Sequence, residues 1–291
     1  FMHQQRNFSP WLMSVNIFQP HHPFWPTEEY LAHYDPAKMP NPSYKEGELA
    51  NKPPFQQTDH EGAYGGIELS FAKTSPEDHR KITAAYYAMI EQVDTEMGRM
   101  LQALDETGQA DDTIVIFMSD HGEMLGDHGI YLKGPYFYDC LTRVPLIIRW
   151  PNRFKAGLKV DALVELLDIA PTLLEAAGVP VPSGMQGKSL MPLLTGQTTK
   201  HRDSVYSEYL DANALYAPPP MATMVRTEKY KLSAFSKPAT GELYDLTKDP
   251  EEFTNLWDNV HYKDVKEEML QTLAIRMIET TDPLPERVTP W

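Results

Sequence analysis

The chain has 291 residues, enough to bury a large core, and its 42% hydrophobic and 11% aromatic content is ordinary for a globular protein. The formal net charge of −15 argues against nucleic acid or an anionic membrane as the main partner. No apolar run approaches the roughly 18 residues that a membrane-spanning helix needs, so we expect no membrane span. Cys140 is the single cysteine, which excludes an intrachain disulfide.

The first predicted strand covers residues 11–18 and is followed by the proline-stiffened turn Gln19-Pro20-His21-His22-Pro23. The two adjacent histidines either lie in a surface loop or act as a proton donor and anion binder. The sequence shows no signal-peptide pattern before this strand, and the chain enters the strand within a few residues of Phe1. We therefore expect it to be part of a longer protein.

A long helix is predicted from about residue 76 to residue 105. Its apolar residues, among them Ile82, Tyr86 and Met89, recur at alternating spacings of three and four. Ser75 is a favourable N-cap residue, and Pro76 follows it at the first helical position. We interpret the apolar stripe of this helix as core.

The next predicted strand, residues 114–118, runs directly into Ser119-Asp120-His121-Gly122. Its continuous apolar run predicts a strand that is buried on both faces. Polar residues at the carboxyl end of such a strand lie where open α/β sheets bind ligands. Asp120 and His121 offer a carboxylate oxygen and an imidazole nitrogen, which together suit a divalent cation. The alternative from these residues alone is a polar turn.

The later elements change in character at about Gly196. Before this point we predict a strand at 143–151 and helical residues at 160–177, either one helix kinked at Pro171 or two short helices that meet there. After it we predict short alternating strands and a final helix, at 205–209, 221–227, 230–235, 243–246 and 263–279. The pattern predicts an α/β domain followed by a small α+β subdomain.

Several of these segments together resemble the type I sulfatase family of the alkaline phosphatase superfamily. They are Ser119-Asp120-His121-Gly122, Lys133 thirteen residues after Asp120, Pro20-His21-His22-Pro23-Phe24, and the pair 225–232 and 243–250. The resemblance implies an α/β, sulfatase-like (alkaline phosphatase-like) sandwich. Residues 1–196 would be the C-terminal part of the catalytic domain, and residues 197–291 a subdomain with an antiparallel sheet and a helix.

One motif of that family is absent from the sequence. Sulfatases carry an N-terminal Cys/Ser-x-Pro-x-Arg motif whose Cys or Ser becomes the formylglycine nucleophile. Cys140 has no proline two residues after it, and we expect it to be a small, buried residue. The resemblance therefore implies that the formylglycine lies in a missing N-terminal part of the same protein, which would be a partner of this chain.

The resemblance also assigns roles to individual residues. Asp120 and His121 would bind a metal, Ca²⁺ by the family pattern, with Mg²⁺ or Mn²⁺ as alternatives because His replaces the more usual amide. Lys133 would contact a sulfate oxygen, and His21, rather than His22, would bind sulfate and protonate the leaving oxygen. Asp127 and His128 either touch the substrate or provide hydrogen bonds behind the site.

Three functional hypotheses remain open from the sequence. The first is hydrolysis of a small sulfate ester, on a sugar or an aryl or alkyl carrier. The second is hydrolysis of a phosphonate monoester or phosphodiester on the same scaffold. The third is an inactive fragment. A homo-oligomer is compatible with the sequence, and the compartment stays open between periplasmic, secreted and cytoplasmic.

Overall fold

The structure is a computed structural model, and it describes residues 1–5, 10–210, 216 and 220–281. The chain divides into two compact units. The first unit comprises Phe1–Ala50, Pro54–Gly134 and Cys140–Arg153, and the second comprises Asn51–Pro53, Pro135–Asp139 and Phe154–Trp291. This division by compactness differs from the predicted division at residue 196, which stays a prediction.

Most of the helices and strands in the described residues are short. The helices are α1 Glu28–Leu31, α2 Pro54–Glu61, α3 Ala63–Gly66, α4 Pro76–Glu106, α5 Asp139–Thr142, α6 Ile169–Ala176, α7 Met191–Leu194 and α8 Lys263–Glu279. The strands are β1 Val115–Met118, β2 Leu146–Arg149, β3 Val205–Leu210, β4 Met221–Arg226, β5 Tyr230–Ser236 and β6 Ala239–Asp245. No helix in the described part of the chain combines the length and apolar character that a membrane crossing requires.

The long helix α4 is the main helix of the first unit, and it confirms the predicted helix to within one residue. The side chain of Ser75 accepts a hydrogen bond from the backbone N–H of Asp78 at 3.1 Å, as an N-cap should. Ala84, Ala88 and Met89 are buried, whereas Ile90 of the predicted stripe is 43% exposed. The prediction that the apolar stripe is core is therefore confirmed in part.

In the first unit, the strand prediction for residues 114–118 is wrong in part and the one for residues 11–18 is wrong. β1 pairs antiparallel with β2, and Met118 at its end is 48% exposed instead of buried on both faces. Residues 11–18 form no strand, and Leu12 and Phe18 are exposed. A strand needs a neighbour for its backbone groups, and β2 is the one strand with which β1 pairs among the described residues.

The second unit contains the antiparallel sheet β3-β4-β5-β6 and helix α8. The predicted strands are confirmed, and so is the turn at residues 227–229, where Thr227 N–H donates to the carbonyl of Tyr230. The core between sheet and helix is made of the buried residues Val225, Leu232, Leu243, Met269 and Leu273. The alternation of the strands thus places one face against the helix.

A buried lysine attaches residues 135–139 to this sheet. Lys231 of β5 is 1% exposed, and its Nζ donates to the carbonyl of Phe137 at 2.9 Å and to Oδ1 of Asp139 at 2.6 Å. Arg226 donates to the same carboxylate at 3.0 Å. The paired charges offset the cost of burying the ammonium group.

The predicted helix at 160–177 is shorter than expected. Residues 160–165 are outside any helix, a 3₁₀ turn covers Leu166–Asp168, and α6 follows. The side chain of Asp168 is fully buried and accepts from the backbone N–H of Glu165 at 2.9 Å, which caps the start. Pro171 lies in the first turn of α6, where no helical hydrogen bond is lost.

The carboxyl group of Asp245, at the end of β6, makes the stability of the protein change with pH in the acidic range. Burial alone raises the pKa of this carboxyl group, but hydrogen bonds from Thr247, Lys248 and Tyr262 outweigh burial and hold the pKa at about 2. A folded-state pKa below the unfolded value stabilises the fold above the unfolded pKa of roughly 3.9. The stabilisation is lost as the pH falls towards 2.

We expect Asp245→Asn to lower the free energy of unfolding by about 1–2 kcal/mol at pH 7, because hydrogen bonds to a charged group are lost. The difference from the wild type should disappear between pH 4 and pH 2, as measured by urea denaturation. Asp258→Asn, at an exposed position, is the matched control and should have no such effect. A pH-independent loss in Asp245→Asn would contradict this account.

Candidate active site

The end of strand β1 turns sharply at Ser119-Asp120-His121. The hydroxyl of Ser119 donates to the carbonyl of His121 at 2.6 Å, and the backbone N–H of His121 donates to Oδ1 of Asp120 at 3.0 Å. These local bonds are typical of Ser and Asp in turns. They leave the Asp120 side chain 87% exposed at the strand end.

Asp120 and His121 present two metal-binding atoms side by side. Nδ1 of His121 lies 2.7 Å from the carbonyl of Gly122, and because a carbonyl only accepts, Nδ1 carries the proton. Nε2 therefore has a free lone pair, and it lies 3.9 Å from Oδ2 of Asp120. Metal–ligand bonds are roughly 2.0–2.6 Å, so both atoms can reach one ion.

Asp120 and His121 are residues of the types that bind divalent ions, but two ligands are too few for a complete site. In the part of the chain that the structure describes, no group of three or more His, Cys, Asp or Glu residues is arranged to hold a metal ion. Calcium takes about six to eight oxygen ligands. Asp120 and His121 thus fit part of a divalent site, and an ion there needs further ligands.

The two residues predicted to be catalytic are in direct contact. Nζ of Lys133 lies 2.6 Å from Nε2 of His21, and Nδ1 of His21 donates to the carbonyl of His22 at 2.7 Å. With Nδ1 protonated, Nε2 accepts from the lysine ammonium group. The ring of His21 also lies edge-on to the ring of His121, with the centroids 6.2 Å apart. The structure therefore brings His21, Lys133 and His121 together, with Asp120 beside His121.

The electrostatics of this group favour an anion. Burial lowers the pKa of Lys133, and the negative charges of Glu123 and Asp120 only partly oppose this. Burial, then the positive charges of His21 and Lys133, lower the pKa of His22. Cationic groups crowded together and partly desolvated are stabilised when an anion binds among them. The arrangement therefore has the chemistry of an oxyanion-binding site.

Asp120 and His121 are hereafter called the metal-type pair. Residues 123–133, hereafter the Lys133 loop, connect this pair to Lys133. Asp127 accepts from the backbone N–H of Ser43 at 2.7 Å, and His128 is buried with Nδ1 3.4 Å from Glu48. Of the two roles open for Asp127 and His128, these contacts favour hydrogen bonding behind the site. They hold the middle of the loop.

Glu123 is the residue whose place in the site sequence reasoning missed. The sequence suggests a structural salt bridge or a rim position, but the carboxylate accepts hydrogen bonds from the backbone N–H groups of Leu125 and Leu132. Burial raises the pKa of Glu123 to about 7, although both amides and Lys133 favour the charged form. Its nine-residue separation from Leu132 follows no helix or strand period, so the sequence carried no signal for this bond.

Cys140 is less buried than the sequence predicts. The residue is partly buried, and its Sγ lies 3.4 Å from Sδ of Met124. Its own carbonyl lies against Gly122, where a Cβ atom would come within 1.8 Å of the oxygen. Position 122 therefore needs a glycine, because the carbonyl of Cys140 lies too close to the backbone there for any side chain.

Comparison with known proteins identifies the family. A family model described as Sulfatase matches residues 1–179, and one described as N-sulphoglucosamine sulphohydrolase, C-terminal, matches residues 126–279. The first covers more than half of the chain. The chain therefore belongs to the sulfatase family, as its motifs predict.

Individual relatives agree with this assignment. An arylsulfatase of Clostridium perfringens is 32% identical over 285 residues, which are 96% of this chain and 56% of that protein. The phosphonate monoester hydrolase of Agrobacterium radiobacter is 32% identical with a TM-score of 0.83, covering 94% of this chain and 58% of that chain. A second solved structure is 33% identical with a TM-score of 0.66, and the match covers 70% of this chain and 42% of that chain. That structure is in complex with its substrate D-glucosamine-2-N,6-O-disulfate.

These similarities confirm the predicted fold class, an α/β fold of the alkaline phosphatase-like kind. The chain spans about half the length of the curated relatives that it matches. The activity, substrates and partners of a whole protein that contains it are therefore matters for proposal.

The close approach at Gly122 gives a direct test of the turn geometry. We expect Gly122→Ala to destabilise the protein by about 2–3 kcal/mol, because the added Cβ atom overlaps the carbonyl of Cys140 and the backbone must shift. Gly98→Ala is the matched control, since nothing lies within 4 Å of its Cβ position on α4. The control should be neutral or stabilising by roughly 0.5–1 kcal/mol. Equal thermal stability of the two variants would refute the close approach.

Proposed function

We propose that the protein containing this chain is a sulfuric ester hydrolase. The observation that carries the proposal is the contact of Lys133 with His21 beside Asp120 and His121, in a chain of the sulfatase family. A sulfate ester needs its oxygen charges neutralised as the S–O bond breaks, and its leaving oxygen protonated. Residues of the required types lie together at this strand end.

Lys133 and His21 bind the sulfate group in this proposal. Nζ of Lys133 donates to a sulfate oxygen, and its charge is favoured there because the bound anion offsets the effect of burial. With sulfate bound, Nζ donates to the sulfate instead of to His21, and Nε2 of His21 is then available to carry the proton that the leaving oxygen needs. The hydrogen bond from Nδ1 to the carbonyl of His22 fixes the imidazole in that orientation.

Asp120 and His121 hold a divalent cation, Ca²⁺ in the first instance, with Mg²⁺ or Mn²⁺ as alternatives. A bound cation supplies Lewis-acid polarisation of a sulfate oxygen. The mixed oxygen and nitrogen donors support a divalent ion without selecting one, because Ca²⁺ and Mg²⁺ prefer oxygen while Mn²⁺ accepts imidazole. The nucleophile is a formylglycine outside this chain.

The remainder of the same protein is proposed as the partner that completes the site. Large apolar residues of the first unit, among them Leu12, Phe18, Met118 and Ile147, have exposed side chains, and a covering part of the same protein would account for this exposure. Curated relatives of about twice the length also support it. On this proposal the isolated chain is the inactive fragment of the third hypothesis.

The substrate is proposed to be a small sulfate ester, either a sulfated sugar or an aryl or alkyl sulfate. The relative in complex with a glucosamine disulfate and the arylsulfatase relative support this class. A phosphonate monoester or phosphodiester is the second candidate, which the Agrobacterium radiobacter structure favours. Both substrate classes present an anionic tetrahedral group to the same residues.

Parallel turnover assays distinguish these candidates. We expect the full-length protein, carrying formylglycine, to hydrolyse an aryl sulfate faster than an aryl phosphonate monoester or a phosphodiester. We expect this chain alone to hydrolyse none of them. A preference for the phosphorus esters would replace the first candidate by the second, and sulfate hydrolysis by the isolated chain would show that the nucleophile is not missing.

Lys133→Ala and His21→Ala should each lower kcat for the aryl sulfate by about 10²–10⁴-fold in the full-length protein, because charge stabilisation and proton transfer are lost. Lys38→Ala is the control, since the side chain of Lys38 is 81% exposed. It should retain kcat within about twofold. Activity of Lys133→Ala equal to that of the control would remove Lys133 from the mechanism.

Metal content is a separate prediction. Asp120→Ala should lose the divalent ion from the full-length protein, as measured by elemental analysis after dialysis, because it removes an anionic ligand. Asp112→Ala, at an exposed position in the same unit, should keep the ion. Full metal occupancy in Asp120→Ala would refute the assignment of this ligand.

A further inference from the structure

The backbone of the Lys133 loop is strained. Leu125, His128 and Leu132 adopt positive φ angles of 48°, 54° and 64°, a region that is unfavourable for non-glycine residues. Gly126 and Gly129 also have positive φ. Such a backbone persists only where surrounding contacts over-determine it. The loop therefore depends on specific side-chain anchors.

A single carboxylate oxygen anchors both ends of this loop. Oε1 of Glu123 accepts from the N–H of Leu125 at 3.1 Å and from the N–H of Leu132 at 2.5 Å. Leu132 directly precedes Lys133, and Glu123 follows His121 by two residues. Glu123 thus links the strand end that bears the metal-type pair to the residue next to Lys133.

Other contacts hold the rest of the loop without Glu123. Nδ1 of His60 bonds the carbonyl of Gly129 at 2.7 Å, and the N–H of Met124 donates to the carbonyl of Leu132 at 2.9 Å. Tyr131 and Leu132 are buried at 0% and 1% exposure in an apolar cluster. Loss of the carboxylate should therefore loosen the backbone at Lys133 and leave the protein folded.

We propose that Glu123 is a positioning residue that sets the place of Lys133 through the backbone of Leu132. It keeps Nζ of Lys133 against His21 and beside the metal-type pair. The kinetic consequence rests on the proposed function, whereas the structural consequence does not. Misplacing a binding group by about 1 Å can cost roughly 10²-fold in rate, so a loosened loop has a measurable effect.

The test uses Glu123→Ala and Glu123→Gln in the full-length protein. The glutamine carbonyl oxygen can accept the same two amide hydrogen bonds, whereas alanine accepts none. We expect Glu123→Ala to lower kcat/KM for an aryl sulfate by about 10–100-fold and Glu123→Gln to stay within about threefold of the wild type. Glu96→Ala, on the surface of α4, is the matched control and should leave kcat/KM unchanged. Equal losses in the alanine and glutamine variants would overturn the proposal.

A double-mutant cycle with Lys133→Ala tests whether Glu123 acts through the lysine. When Lys133 is already absent, Glu123→Ala should cause no further loss beyond about threefold, because the two residues act as one unit. The same fractional loss in both backgrounds would show that Glu123 acts independently of Lys133, which contradicts the proposal.

Amide hydrogen exchange at Leu132 supplies a readout that needs no activity. We expect exchange at this amide to accelerate at least about tenfold in Glu123→Ala and to stay near the wild-type rate in Glu123→Gln and Glu96→Ala. Unchanged exchange in the alanine variant would refute the proposal. If the full-length wild-type protein did not hydrolyse sulfate esters, the proposed function would be refuted. The exchange experiment would still decide the role of Glu123.

Discussion

The contact between Lys133 and His21 is the interaction on which the candidate site depends. It joins two segments that are 112 residues apart in the sequence, and it sets two nitrogen atoms 2.6 Å apart beside His121. Two such groups cannot both carry a full charge at this distance without cost. An anion bound beside them would offset that cost, which is the physical basis of the sulfate site that we propose.

Other parts of the first unit position the residues around this contact. Strand β1 delivers Asp120 and His121 at its end, where Gly122 allows the backbone to approach Cys140. The Lys133 loop then returns to the site through left-handed residues that no helix or strand would contain. The strain of that loop is offset by burial and by the hydrogen bonds of Glu123. A rigid loop of this kind lowers the entropy that binding must overcome.

The sequence predicted the regular elements whose apolar residues follow a clear period. Helix α4 and strands β3 to β6 are examples, because each buries one face within its own unit. The prediction for residues 11–18 failed because an apolar, β-branched segment becomes a strand only when another strand supplies hydrogen bonds. Asp120, His121, Lys133 and His21 were predicted from motifs and their roles stay predictions, whereas the role proposed for Glu123 depends on a loop backbone that no motif encodes.

A crystal structure of the full-length protein with sulfate tests the central claim most directly. We expect a sulfate oxygen within hydrogen-bond distance of Nζ of Lys133 and of Nε2 of His21, and a divalent ion bound to Asp120 and His121. Sulfate bound elsewhere, or Lys133 and His21 on separate surfaces, would contradict the claim that these four residues form one oxyanion site.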